Sequence, residues 1–323
     1  MASKLTLERI AQASQFLGDL IRRTPVEPSP ALSEKAGVPV WLKLENLQLT
    51  GSFKIRGAFF RLSQLTEEQK KTGIATCSAG NHGKAVAYAA RLLDLPVTIS
   101  VPKTVDAAKY RAMVELGAEV IRSRFEGYDD TEEWARQEAQ RTGHPFISPF
   151  DDWDIMAGNG GTLAQEVLEQ VPEARTFLLP VGGGGLAAGF AFLAKQRLDQ
   201  ARIIGCQLAA SPGLMLSFQR DEAVTRLPPV ETAAGGIEGG LGRMTFEVLR
   251  SCMTVQDVAL LSEAEIAHAF FWMLDHHHYL VEPSAAVTVA ALLSGKAGRL
   301  ESPAAVVLSG RNVALETVRR LLC

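Results

Sequence analysis

Lys54 lies in the string Gly51-Ser52-Phe53-Lys54-Ile55-Arg56-Gly57-Ala58, soon after the alternating run Trp41-Leu42-Lys43-Leu44-Glu45. Small residues, an aromatic ring and glycines are odd company for a solvated lysine. They suit an amine that must meet a flat aldehyde in a confined pocket. Desolvation penalises the ammonium, so a buried lysine loses proton affinity. The neutral amine can form an imine with a carbonyl and later act as a base. Most lysines are nevertheless solvated surface groups, and the string alone does not separate the two cases.

Three other segments offer complementary chemistry. Cys77-Ser78-Ala79-Gly80-Asn81-His82-Gly83 follows a strand-like stretch and opens a helical pattern. Free N–H groups at such a start favour carboxylate or phosphate, although Ser and Asn also serve in an ordinary N-capping turn. The run Gly182, Gly183, Gly184, Gly185, Leu186 stands between a strand and a helix. Its backbone amides can wrap an anion, aided by the helix dipole; a flexible turn would read the same way. Last comes Val306-Val307-Leu308-Ser309-Gly310-Arg311-Asn312, a buried strand ending in a hydroxyl.

In this order the four motifs resemble the pyridoxal-phosphate enzymes of the serine/threonine dehydratase family, fold type II. The resemblance runs from about residue 10 to the C-terminus. It includes Lys43-Leu44-Glu45-Asn46, Ser148-Pro149-Phe150-Asp151-Asp152 and Val281-Glu282-Pro283-Ser284. It implies a two-lobed α/β fold with mainly parallel twisted sheets covered by helices. A large cofactor-binding domain (1–52 and 147–323) would carry a small domain (53–146). Lys54 would be the catalytic residue and hold pyridoxal 5'-phosphate as an imine. Phe53 and Gly236 would sandwich the ring, and Asn81 would bond its hydroxyl. Gly182, Gly183, Gly184, Gly185 and Leu186 would cradle the phosphate, Ser309 would face the ring nitrogen, and Glu282 completes the cofactor-binding set. Ser78, Ala79, Gly80, Asn81 and His82 would line the substrate carboxylate site. The implied reaction eliminates water from a 3-hydroxy amino acid, giving a 2-oxo acid and ammonia. A neutral Ser309 hydroxyl leaves the ring a shallow electron sink, which favours prompt loss of a β-leaving group.

Composition agrees. The 323 residues exceed usual single-domain size. An apolar fraction of 47% with 21% charged residues is ordinary for a globular protein. A net charge of −3 gives no basic field for nucleic acid, and no apolar run reaches the ~20 residues of a membrane span. The start Met1-Ala2-Ser3-Lys4 lacks signal-peptide character. Cys77, Cys206, Cys252 and Cys323 form no close metal pair, and a reducing cytoplasm suits them. A homodimer acting on a small amino acid is the expected assembly.

The pattern alternates. A helix is predicted at 7–21. Then come strand 74–77, helix 83–93, strand 97–101, helix 107–116, strand 119–122, helix 130–141 and a strand-like 145–148. Helix 155–170, strand 176–180, helix 186–197 and strand 203–207 form a second series. Residues 211–243 read as a long loop, a length that is usually functional. Helices 263–275 and 284–293, strand 304–308 and helix 314–322 close the chain. Ligands should sit at the carboxyl ends of the strands.

Departures from the family limit the transfer. Metal-binding relatives carry acids after the strand at 203–207; here Cys206-Gln207-Leu208-Ala209-Ala210-Ser211-Pro212 has none. A hard cation needs oxygen ligands, so no metal is expected. The loop Gly235-Gly236-Ile237-Glu238-Gly239-Gly240-Leu241-Gly242 has little side-chain bulk. That resembles hydroxyectoine-pathway and phenylserine dehydratases with bulky β-substituents, or else it serves turn geometry. Ala79 stands where racemases of the family place a serine acid. His276-His277-His278 reads as a solvated helix end rather than a chelate. A serine or threonine racemase, a β-replacement enzyme and a non-catalytic cofactor-binding regulator are the alternatives. A nicotinamide dehydrogenase would need an acid where Cys206-Gln207 ends the strand after the glycines.

Overall fold

The computed structural model describes residues 4–300 and 302–322; the N-terminal Met1-Ala2-Ser3 and the fourth cysteine, Cys323, lie outside them. Among these residues nine strands form two sheets. They are β1 Val26–Pro28, β2 Val40–Lys43, β3 Ile74–Cys77, β4 Val97–Val101, β5 Glu119–Arg122, β6 Thr176–Pro180, β7 Arg202–Leu208, β8 Val258–Leu261 and β9 Ala304–Val307. The large sheet runs β1-β2-β9-β6-β7-β8 and the small one β3-β4-β5. Every pairing is parallel except β1 with β2.

Parallel strands need crossover connections, and helices on both faces bury them. The sequences of β6, Thr-Phe-Leu-Leu-Pro, and β9, Ala-Ala-Val-Val, are buried at every position. Alternation then sends neighbouring side chains into different cores. Phe177, Leu179, Ala305 and Val307 join one cluster, and Leu178, Ala304, Val306 and Leu308 another. A third cluster surrounds the small sheet. The result is the mainly parallel α/β architecture expected from the alternation.

Three expectations change. The helix read at 155–170 is Trp153–Met156, a π-turn Ala157–Gly161 and Thr162–Gln170. In that turn Asn159 Oδ1 accepts from Gly57 N–H at 2.8 Å, tying it to the helix that carries Lys54. The loop read at 211–243 contains helix Gly213–Arg220. Gln207, buried, accepts from Leu214 N–H at 3.0 Å and so caps that helix from another element. Strands β1 and β8 and helices Pro30–Ala36, Lys54–Ser63, Glu67–Thr72 and Arg243–Cys252 also form without being expected.

The chemistry-bearing turns all follow strands. Ser78 comes after β3, Gly182 after β6 and Ser309 after β9. The chain before Lys54 joins them, because Ser52 bridges Gly310.

Candidate functional site

Lys54 opens helix Lys54–Ser63. The preceding segment is locked by backbone bonds to the end of β9: Phe53 N–H to Ser309 O at 3.1 Å and Arg311 N–H to Gly51 O at 2.9 Å. This brings the strand-end serine beside the lysine. Lys54 Nζ donates to Pro149 O at 2.8 Å and lies 5.2 Å from the Phe53 ring centroid. Burial lowers its pKa to about 8, with Glu282 pulling the other way. The amine is therefore largely neutral a little above that pH, whereas a solvated lysine is not.

The glycine turn starts helix Gly185–Arg197, with Gly184 at φ 90°. Its glycines answer to close approach. A β-carbon on Gly182 would lie 2.9 Å from Gly236 O, and one on Gly185 would lie 2.9 Å from the Phe150 backbone. On Gly183 it would strike the Phe150 ring. Leu186 is buried behind them. Phe150 therefore floors the glycine turn, while the adjacent Pro149 holds the amine of Lys54. Asp151 accepts from the N–H groups of Arg243, Met244 and Thr245 at 3.2, 2.9 and 3.2 Å, capping helix Arg243–Cys252. Thr245 Oγ1 in turn donates to Gly183 O at 2.8 Å. Four consecutive residues, 149–152, thus attach four elements, since Asp152 caps helix Trp153–Met156 and bonds Arg61. Sequence reading alone assigns none of these bonds to the string.

Asn81 opens helix Asn81–Leu92. Its Nδ2 donates to both Glu282 oxygens, at 2.8 and 3.0 Å. Glu282 is 8% exposed, and burial raises its pKa to about 7 against the pull of Asn81, Lys109 and Lys54. Ser78 Oγ accepts from Gly80 N–H at 3.2 Å, closing the turn. Ala79 and Gly80 are partly exposed there. The His82 ring is buried with neither nitrogen in hydrogen-bond geometry. Burial first, then Lys54, lowers its pKa to about 3, outweighing a weak pull from the Ile147 backbone. The ring stays neutral and cannot serve as a cationic carboxylate clamp. Gly236 N–H donates to Ser284 Oγ at 2.9 Å, beside the Glu282 turn.

A buried charge cluster behind the site escaped sequence reading. Arg56 bonds Glu45 with Nε and Nη2, each at 2.8 Å, and Glu166 with Nη1 at 2.7 Å. Lys43 Nζ bonds Glu166 at 2.6 Å. Burial opposes the charge on Arg56, but Glu45 and Glu166 raise its pKa overall. For Glu45 burial likewise opposes ionisation, and Arg56 and Lys43 lower its pKa overall. Two acids and two bases balance, which is the condition for keeping charge in a core. A visible signal was the placement of Lys43 and Glu45 on one alternating run.

The glycine-rich loop resolves largely into geometry. Gly236, Gly240 and Gly242 leave no room for a β-carbon beside Ser284, Thr225 and Asp151 respectively. Gly239 has φ 97°. Only Gly235, among the loop's five glycines, faces open space without a positive φ. The histidine run disperses: His276 stacks on Trp272 at 4.3 Å, and His277 Nε2 meets Ser29 Oγ at 2.8 Å.

The profile of the pyridoxal-phosphate dependent enzymes matches residues 17–310. The chain belongs to this family. As a pyridoxal-phosphate dependent enzyme it is 36% identical to an L-threonine ammonia-lyase of Thermotoga maritima, over 98% of this chain and 78% of that one. It is similar to the processed form of threonine deaminase isoform 2 from Solanum lycopersicum, with 28% identity, a TM-score of 0.87 and 99% and 94% of the two chains covered. It is similar also to maize serine racemase, with 30% identity, a TM-score of 0.90 and 99% and 97% covered. Its residues fit the cofactor. Ser52 Oγ and both His82 nitrogens are buried without protein partners near Lys54, and the glycine turn leaves backbone N–H groups at a helix start. Among the described residues no helix is long and apolar enough to cross a membrane.

Proposed function

We propose that the protein is a 3-hydroxy amino acid dehydratase that forms a 2-oxo acid and ammonia, with an L-threonine-sized substrate. The observation that carries this is the Lys54 amine, desolvated to a pKa of about 8 and bonded to Pro149 O, next in sequence to the Phe150 on which the glycine turn rests. The ammonia-lyase and deaminase names of its relatives support the reaction class.

Bound pyridoxal phosphate supplies the aldehyde and the electron sink. Lys54 would hold the cofactor through its Nζ and would be the base for the substrate α-proton. Phe53 and Gly236 would cover the ring faces, Asn81 would bond the ring hydroxyl, and Ser309 would give the ring nitrogen a neutral partner. Backbone N–H groups of Gly182, Gly183, Gly184, Gly185 and Leu186 would hold the phosphate. Glu282 orients Asn81. Ser78, Ala79, Gly80, Asn81 and His82 would line the substrate carboxylate site at the start of helix Asn81–Leu92. The β-hydroxyl would leave as water, balanced by the α-proton that Lys54 removes, and one water would then hydrolyse the C=N bond of the product to the 2-oxo acid and ammonia. Residues 53–146 form the small domain, and 1–52 with 147–323 the large one. The enzyme works as a cytoplasmic homodimer.

Steady-state kinetics on threonine, serine and phenylserine test the substrate. The highest kcat/KM should fall on threonine or serine, since four of the five loop glycines answer to close neighbours or a positive φ. Preference for phenylserine restores the roomy-pocket alternative, with Gly235→Val as the variant that should then suppress it.

A further inference from the structure

We propose that Asn312 and Lys84 are positioning residues that set which end of the Asn81 amide faces the cofactor. Asn312 follows β9, and Lys84 lies one turn after Asn81 on helix Asn81–Leu92. Asn312 Nδ2 donates to Thr50 O at 2.9 Å, and Lys84 Nζ donates to Asn312 Oδ1 at 3.1 Å. A backbone carbonyl only accepts and an ammonium only donates. The two anchors therefore fix the Asn312 amide independently, an assignment that geometry alone seldom settles.

Polarity then propagates. The anchored Nδ2 of Asn312 also lies 2.7 Å from Asn81 Oδ1, so the Asn81 carbonyl must point there. Its NH2 must point the other way, where it meets the Glu282 oxygens at 2.8 and 3.0 Å. One N–H is used on Glu282, and the second is free for an acceptor at the cofactor ring. Donors thus run in one direction from Lys84 through Asn312 and Asn81 to Glu282. Gly51 makes room for this. It has φ 78°, and a β-carbon there would lie 2.7 Å from Asn312 Oδ1. The charges that act on Glu282 are Lys109 and Lys54, and the charge that acts on Lys84 is Arg311.

Reversing the polarity should turn the Asn81 amide. Asp at 312 has the shape of Asn but cannot donate to Asn81. The Asn81 carbonyl would then face Glu282 and the ring oxygen, disfavouring the deprotonated ring hydroxyl. The inference rests on the cofactor assignment above. Its test compares the holoenzyme with Asn312→Asp, Lys84→Glu and the donor-preserving Lys84→Arg. The readout is the ratio of the cofactor's visible band to the near-ultraviolet band of its neutral-phenol tautomer at one fixed pH, alongside kcat/KM. The two reversals should lower that ratio about tenfold or more and lower kcat/KM about tenfold or more, with Lys84→Arg following the wild type. If Asn312→Asp loads no cofactor, Lys84→Glu decides. Reversal variants that are loaded yet keep the wild-type band ratio overturn the inference. A wild-type protein without any cofactor band overturns the cofactor assignment itself, before any variant is compared.

Discussion

Lys54 Nζ and Pro149 O lie 2.8 Å apart, and the residue after Pro149 is the ring on which the glycine turn rests. One short segment therefore sets both the direction of the amine and the floor of the anion turn. Displacing it should disturb imine formation and phosphate retention together.

The pKa of Lys54 predicts how the apoprotein takes up cofactor. Only the neutral amine attacks an aldehyde. Burial lowers the pKa to about 8, so the neutral fraction grows as pH rises to that value and saturates above it. The rate of reconstitution by pyridoxal phosphate should rise with pH and level off past about 8. Stopped-flow absorbance measures it; a rate still climbing near pH 10, as for a solvated lysine, contradicts the burial effect. Lys54→Ala should show no imine band, and borohydride followed by peptide mapping should label Lys54 in the wild type.

Arg56→Met should leave Glu45 and Glu166 facing a single remaining cation in a closed core. Breaking a buried ion cluster from one side costs roughly 3–5 kcal/mol. Urea unfolding of the apoprotein should show a loss of that order. A loss under about 1 kcal/mol would mean that water reaches the cluster.

Chelation should leave the activity largely intact. Gln207 is committed to Leu214 N–H, and residues 208–212 carry no carboxylate. Activity abolished by a chelator and restored by magnesium or calcium would contradict this.

Racemisation should be minor on the proposed substrate placement, in which Ala79 stands where racemases of the family place a serine acid and has no proton to return. Ala79→Ser should raise it without abolishing elimination. Chiral chromatography of residual substrate gives the answer; rapid interconversion of L and D forms by the unmodified protein would require another acid.

Chemistry written into neighbouring residues was legible in the sequence. Lys54 among small residues, four consecutive glycines after a buried strand and the Ser78 to Gly83 turn each advertise themselves locally, and the parallel sheets follow from alternation. Features owed to distant partners were hidden. The π-turn at Ala157–Gly161 depends on an Asn159 bond to Gly57, and helix Gly213–Arg220 is capped by a glutamine from β7. For glycines at 236, 240 and 242 the sequence leaves spare volume and turn geometry equally open, because the neighbours that decide lie elsewhere in the chain.

The same π-turn has a mechanical consequence. On one side a β-carbon at Gly158 would lie 2.7 Å from Gly57 Cα, in the helix of Lys54. On the other, Gly160 faces the backbone of residues 186–190 in the helix of the glycine turn, and Gly189 of that helix faces the backbones of Met156 and Gly161, with no room for a β-carbon. Three main chains are stacked with no side chain between them. Side chains can change rotamer to absorb a displacement; bare main chain cannot. The stack works as a spacer of fixed thickness between the amine and the anion turn, and Gly158→Ala or Gly160→Ala would lengthen that gauge at its centre.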